Sequence, residues 1–143
     1  HIMNKPAFNL DTRIEQDTCF ISDGTLSRIG LMNDSRFPWL ILVPKLANVR
    51  EWTELNDAQQ LQLQSEIKAC AKALQQVFPI GTKLNIAALG NVVSQLHIHV
   101  ILRHEKDDAW PKPVWGHGQR EYYAEHEIRQ YVSKLNDIIS ATL

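Results

Sequence analysis

The chain has 143 residues, of which 44% are hydrophobic and 22% charged, with a formal charge of -1 at pH 7. That length is enough for one domain with its own core, and the composition excludes a disordered or collagen-like chain. The near-neutral charge argues against a surface built for a nucleic-acid polymer, and no apolar run approaches the roughly 20 residues that span a bilayer, so neither partner is expected.

The opening His1-Ile2-Met3 reads as a remnant of cloning followed by a natural initiator, which leaves residues 1–2 without functional weight inside one domain over residues 1–143. Cys19 and Cys70 match no zinc or redox spacing, so two reduced thiols in a cytoplasmic protein are expected. Cys19-Phe20-Ile21, the Asp23-Gly24 turn and Leu26 to Met32 predict a hairpin. Trp39 to Val43, apolar on both faces and stopped by Pro44, predicts a buried central strand.

A long helix follows. Asn56 and Gln59 make a capping box, and Leu61, Ile67, Cys70, Ala71, Leu74, Val77 and Phe78 recur at helical spacing before Pro79 and Gly81 end it. Ile128, Tyr131, Val132, Leu135, Ile138 and Ile139 repeat the pattern near the C-terminus. Between the helices, strands are predicted from Leu84 to Leu89 and from Val93 to Arg103, joined at Gly90-Asn91. Strands with helices on one side predict an α+β domain on a mostly antiparallel sheet.

The last strand carries Ser94-Gln95-Leu96-His97-Ile98-His99-Val100-Ile101-Leu102. Side chains alternate along a strand, so Leu96, Ile98, Val100 and Leu102 face the core while Gln95, His97, His99 and Ile101 face a cleft or solvent. The two imidazoles would lie roughly 6–7 Å apart at a rise of about 3.3 Å per residue. That separation suits a phosphoryl group held between them. It also suits two metal ligands, with His104 or His117 as a third, or two polar residues on an exposed strand face. The Gly90-Asn91 turn can aim backbone N–H groups at an anion, and Trp110-Pro111-Lys112-Pro113-Val114-Trp115 reads equally as a stiff lip over a site or as cover for the core.

These residues resemble the histidine triad (HIT) family of nucleotide hydrolases and transferases, whose signature is His-x-His-x-His followed by two apolar residues. Within it the run ALGNVV-x-QLH is similar to a bacterial branch resembling diadenosine-tetraphosphate hydrolases, with Gln in the first triad position. The resemblance implies a HIT-like fold with a five-stranded sheet and two main helices. It implies His97 as the nucleophile that becomes a nucleotidyl-histidine, His99 as phosphate and leaving-group partner, and Gln95 as the first triad member. It implies Asn33 at the ribose hydroxyls, Asn85 near phosphate and ribose, and Asn91, Val92 and Val93 at the turn before the triad. Asn33, Asn85 and Asn91 also read as ordinary turn or strand-edge amides.

Trp39 stands where many relatives have a further His, which predicts a lost polar contact, and Val92 stands where some branches have a hydroxyl. Arg103 and His104 are placed to reach a distal phosphate or to sit idle at the strand end. The resemblance implies cleavage at the α-phosphate of a small nucleotide substrate, no cofactor or metal ion, and a homodimer. Two rival readings stay open, a nucleotide-binding module with weak catalysis and a metal-dependent His-x-His protein.

Overall fold

The computed structural model describes residues 6–143, so the reading of His1-Ile2-Met3 lies outside the described residues. Strands β1 (Thr18–Asp23), β2 (Ser27–Met32), β3 (Trp39–Pro44), β4 (Lys83–Ala87) and β5 (Ile98–Arg103) form one sheet in the order β1-β2-β3-β5-β4. Every neighbouring pair is antiparallel, as the α+β reading expects. Three helices accompany it, α1 (Thr12–Asp17), α2 (Asp57–Val77) and α3 (Glu125–Thr142).

Alternation along the strands divides the apolar residues into two cores. Ile29 and Leu31 of β2, Leu40 and Leu42 of β3 and Val100 and Leu102 of β5 pack with Leu63, Cys70 and Leu74 of α2 and Leu135 and Ile139 of α3. On the opposite face, Trp39, Ile41, Val43 and Ile101 pack with Ile14 of α1, Phe37, Ala109 and Val114. β3 is buried along its whole length because both its faces are covered. The periodicity did not disclose this second core. It is built by a short helix and an irregular segment that lack a hydrophobic period.

Helix α2 starts at the expected capping box, with Asn56 Oδ1 accepting from the Gln59 N–H at 2.8 Å and Gln59 Oε1 from the Asn56 N–H at 2.9 Å. Leu61 departs from expectation. It is 68% exposed, and Leu63 is buried in its place. Two helical positions differ by about 200° around the axis, so Leu61 and Leu63 cannot share a face.

The predicted strand from Val93 to Arg103 is shorter than expected. Residues 88–97 are irregular and regular pairing begins at Ile98, with Ala87 opposite His99. Gly90 shows why. A Cβ there would lie 2.8 Å from the Val93 carbonyl oxygen, so the backbone folds tightly onto itself before the strand begins. Leu96, Ile98, Val100 and Leu102 still share the helix-covered core, so the predicted division of faces survives the loss of regular pairing.

Glu66 of α2 is fully buried and ties the helix to the β1–β2 turn. Its Oε2 accepts from the Leu26 N–H at 2.8 Å and from Gln62 Nε2 at 2.9 Å, and its Oε1 from the Ser27 N–H at 2.9 Å. Glu66→Gln keeps one acceptor oxygen and turns an NH₂ toward another backbone donor. Unfolding free energy is expected to fall by about 1–3 kcal/mol, read as a lower urea midpoint at unchanged m-value.

Candidate active site

A cavity of about 370 Å³ opens on the face away from α2 and α3. Trp39 and Ile41 of β3, Met32 of β2 and His99 of β5 line it together with His97, Leu89 and residues 91–93. Arg13, Ile14, Gln16 and Asp17 of α1 and the distant Trp115 complete the wall. The histidine face is therefore a covered cleft. His97 and His99 are 6% and 5% exposed.

The rings of His97 and His99 lie 4.9 Å apart between centroids, edge to face, closer than an ideal strand would hold them. His97 stands just before β5, where the irregular backbone tips it toward its neighbour. Its Nδ1 lies 2.7 Å from the Gln95 carbonyl oxygen. A carbonyl only accepts, so Nδ1 carries the proton and Nε2 keeps its lone pair. No side chain or backbone group among the described residues bonds that Nε2. The neutral form of the ring is thereby held in one tautomer, with Nε2 open and the ring at the cavity wall, which suits it to act as nucleophile or base.

His99 is held differently. Trp39 Nε1 donates to its Nδ1 at 3.1 Å, and its Nε2 lies 3.0 Å from the Leu89 carbonyl oxygen. An indole N–H only donates, so the proton sits on Nε2 and both nitrogens are satisfied. The expectation that Trp39 removes a polar contact is corrected here, because the indole supplies one. The expectation that His99 binds phosphate finds no free N–H on its ring.

Burial pushes the His99 pKa down to about 4; neighbouring His97 acts in the same direction, and the Leu89 carbonyl opposes them. An unfolded His99 titrates near 6.5 and binds a proton that the folded one refuses. Stability is therefore full above that value and falls by about 3 kcal/mol as pH drops from about 6.5 to about 4. Trp39→Phe removes the donor that occupies Nδ1 and should raise the His99 pKa, observed as an upward-shifted imidazole titration by NMR.

The N–H groups of Asn91, Val92 and Val93 donate to no protein acceptor among the described residues, and all three residues line the cavity. The turn therefore carries backbone donors without a protein partner in the segment that precedes His97. Trp115 also belongs to the wall, with its ring 5.1 Å from His99 and 6.3 Å from Trp39, and it packs against the second core as well, so it both lines the cavity and covers the core. Trp110 instead packs against the Arg103 guanidinium at 5.6 Å.

Three predicted site residues have their side chains elsewhere. Gln95 Oε1 accepts from the Asp11 N–H and its Nε2 donates to the Asn9 carbonyl, each at 2.8 Å, so only its backbone serves His97. Asn33 Oδ1 accepts from the Tyr123 N–H at 3.0 Å. Asn85 Oδ1 accepts from Arg103 at 2.8 Å. None of the three lines the cavity.

Arg103 is 1% exposed and its Nε and Nη2 bind Asp107 at 2.6 and 3.0 Å, so it serves the fold rather than a distal phosphate. His104 accepts from the Lys106 N–H and His117 pairs with Asp108, both outside the cavity. Among the described residues no group of three or more His, Cys, Asp or Glu side chains is placed to hold a metal ion. The sequence reading also missed α1. Asp11 ahead of Thr12 was its one available signal, an N-cap whose carboxylate accepts from the Arg13 N–H at 2.8 Å.

Comparison with known proteins agrees with this architecture. The HIT domain family matches residues 13–106. A histidine triad protein from Bradyrhizobium japonicum is 42% identical, with 94% of this chain and 99% of that one covered at a TM-score of 0.90. One from Sinorhizobium meliloti 1021 is 43% identical, with coverages of 95% and 97% at 0.87. One from Marinobacter aquaeolei VT8 is 38% identical, with coverages of 96% and 100% at 0.91. Among curated proteins no relative matches. The chain belongs to the HIT domain family, whose members are generally nucleotide hydrolases and transferases.

Proposed function

We propose that this chain is one HIT domain over residues 1–143 that cleaves at the α-phosphate of a dinucleoside polyphosphate or nucleotide conjugate through a nucleotidyl-His97 intermediate. The observation that carries the reading is the His97 tautomer, with Nδ1–H on the Gln95 carbonyl and a free Nε2 on a cavity-lining ring. Ile14, Met32, Ile41 and the two indoles give the cavity an apolar wall suited to a base and sugar. The N–H groups of residues 91–93, without a protein acceptor in the cavity-lining turn, support a role as donors to phosphoryl oxygens.

In the first step Nε2 forms a bond to phosphorus while the bond to the leaving oxygen or nitrogen breaks and its electron pair departs. The imidazole becomes cationic, and its Nδ1–H bond to the Gln95 carbonyl stabilises that charge. Water then attacks phosphorus, the phosphorus–nitrogen bond breaks with its electron pair returning to Nε2, and the proton the water loses passes to solvent, which also supplies the proton taken up by the departed leaving group. His99 stays neutral beside His97, adding no positive charge to oppose the cationic ring. The scheme draws on no cofactor or metal ion.

A cytoplasmic homodimer is part of this proposal. β4 leaves one sheet edge unpaired, and its Ile86 is 49% exposed, as a two-fold contact would use. The test of function is a panel of diadenosine polyphosphates, adenosine phosphoramidate and an aminoacyl-adenylate, with alkaline-quenched enzyme weighed intact. Turnover with a nucleotidyl mass on His97 is expected. Tight nucleotide binding with neither adduct nor product would replace the enzyme by a binding module.

A further inference from the structure

We propose that Arg13 receives the charged phosphate chain beyond the attacked phosphorus, and that Gln95 is the positioning residue that holds Arg13 at the cavity mouth. The proposal rests on the nucleotide reading of the same site and extends it to Arg13 and to the side chain of Gln95, whose backbone carbonyl alone acts in the scheme above.

The Gln95 amide uses both ends on alternate residues of the N-terminal segment, accepting from the Asp11 N–H and donating to the Asn9 carbonyl at 2.8 Å each. It thereby imitates the edge of a neighbouring strand and docks a segment 84 to 86 positions away in sequence. Docked in this way, Asp11 caps α1 and grips the Arg13 guanidinium through Nε and Nη2, each at 3.2 Å. Arg13 Nη1 donates to the Val92 carbonyl at 3.2 Å, so the side chain bridges α1 and the turn before His97. Three of the five guanidinium N–H groups are used, which leaves two for a ligand.

Charge singles out the same residue. Of the residues lining the cavity, Arg13 is the one with a permanent positive charge. His99 is neutral, and Asp17 is paired with Arg120 at 3.1 Å. The Arg13 side chain is 55% exposed and therefore reachable from solvent. A surface pair with Asp11 alone would not require the span to Val92.

The experiment compares KM and kcat for diadenosine tetraphosphate and adenosine phosphoramidate in wild type, Arg13→Gln, Arg13→Lys, Gln95→Ala and the Arg13→Gln/Gln95→Ala double variant. Losing one charge-assisted contact should raise KM for the tetraphosphate about tenfold, and by less for the phosphoramidate, whose leaving group has no phosphate chain. Arg13→Lys should recover part of that loss. Gln95→Ala should reproduce the substrate bias, and the double variant should be no worse than Arg13→Gln. Equal changes for both substrates, or an unchanged KM, overturn the proposal. If wild type turns over neither substrate, the hydrolase reading fails separately. Arg13 is then judged by calorimetric titration with diadenosine tetraphosphate, where absent wild-type binding or equal affinity in Arg13→Gln overturns it.

Discussion

His97→Ala is expected to lower kcat/KM by at least about 10⁴-fold, or about 5.5 kcal/mol of transition-state stabilisation, while nucleotide binding persists. Among the described residues lining the cavity, no other imidazole or thiol is free to replace it. Both nitrogens of His99 are occupied. Cys70 lies in the opposite core, where burial pushes its thiol far above the ordinary value, and Cys19 is outside the cavity. Residual turnover would come from direct attack by water on a substrate still polarised by the 91–93 N–H groups. His97→Gly with added imidazole supplies a control, because a small nucleophile filling the gap should restore activity in proportion to its neutral fraction. Wild-type rates in His97→Ala at an unchanged melting temperature would remove the covalent mechanism.

Asp107→Ala is expected to cost about 3–5 kcal/mol of stability, the effect of leaving one partner of a buried ion pair alone. Burial by itself would raise the Asp107 carboxyl, but Arg103 and the backbone N–H groups of His104 and Trp110 outweigh it and hold the group below its usual value. The carboxylate also accepts from the Ala109 N–H, so its loss frees a turn as well as a cation. Arg103 would keep Asn85 Oδ1 and the Lys112 carbonyl, both at 2.8 Å, but no negative charge. Urea unfolding measures the loss. An Arg103→Met/Asp107→Leu double variant should recover much of it, since no charge is then buried. Because residues 104–115 deliver Trp115 to the cavity, the single variant should also bind nucleotide more weakly.

The parts of the molecule legible in the sequence are those with a period. The Asp23-Gly24 turn identified the first hairpin, the continuous apolar run before Pro44 identified β3, alternation identified the helix-facing side of the histidine segment, and three- and four-residue spacing with the Asn56–Gln59 box identified α2. The covered side of the sheet was not legible, because Ile14, Phe37, Ala109 and Val114 come from segments too short or irregular to show a pattern. The same holds for the site. His97, His99 and the 91–93 turn lie within a few residues of one another and meet as expected. Asn33, Asn85 and Gln95 are polar residues whose partners lie 18 to 90 positions away, and sequence spacing does not specify such pairings. Trp39 shows the converse, since what reads as an apolar replacement for His still donates a hydrogen bond.

The placement of the four tryptophans gives the site an optical readout of its own. Trp39 and Trp115 flank His99 in the cavity wall, Trp52 is half exposed beyond the cavity, and Trp110 stands against Arg103. A base entering the cavity is expected to stack beside the two indoles and quench their emission, with the half-exposed Trp52 as an internal reference. Occupancy can therefore be followed in the unlabelled protein, on the stopped-flow timescale, before any bond has broken.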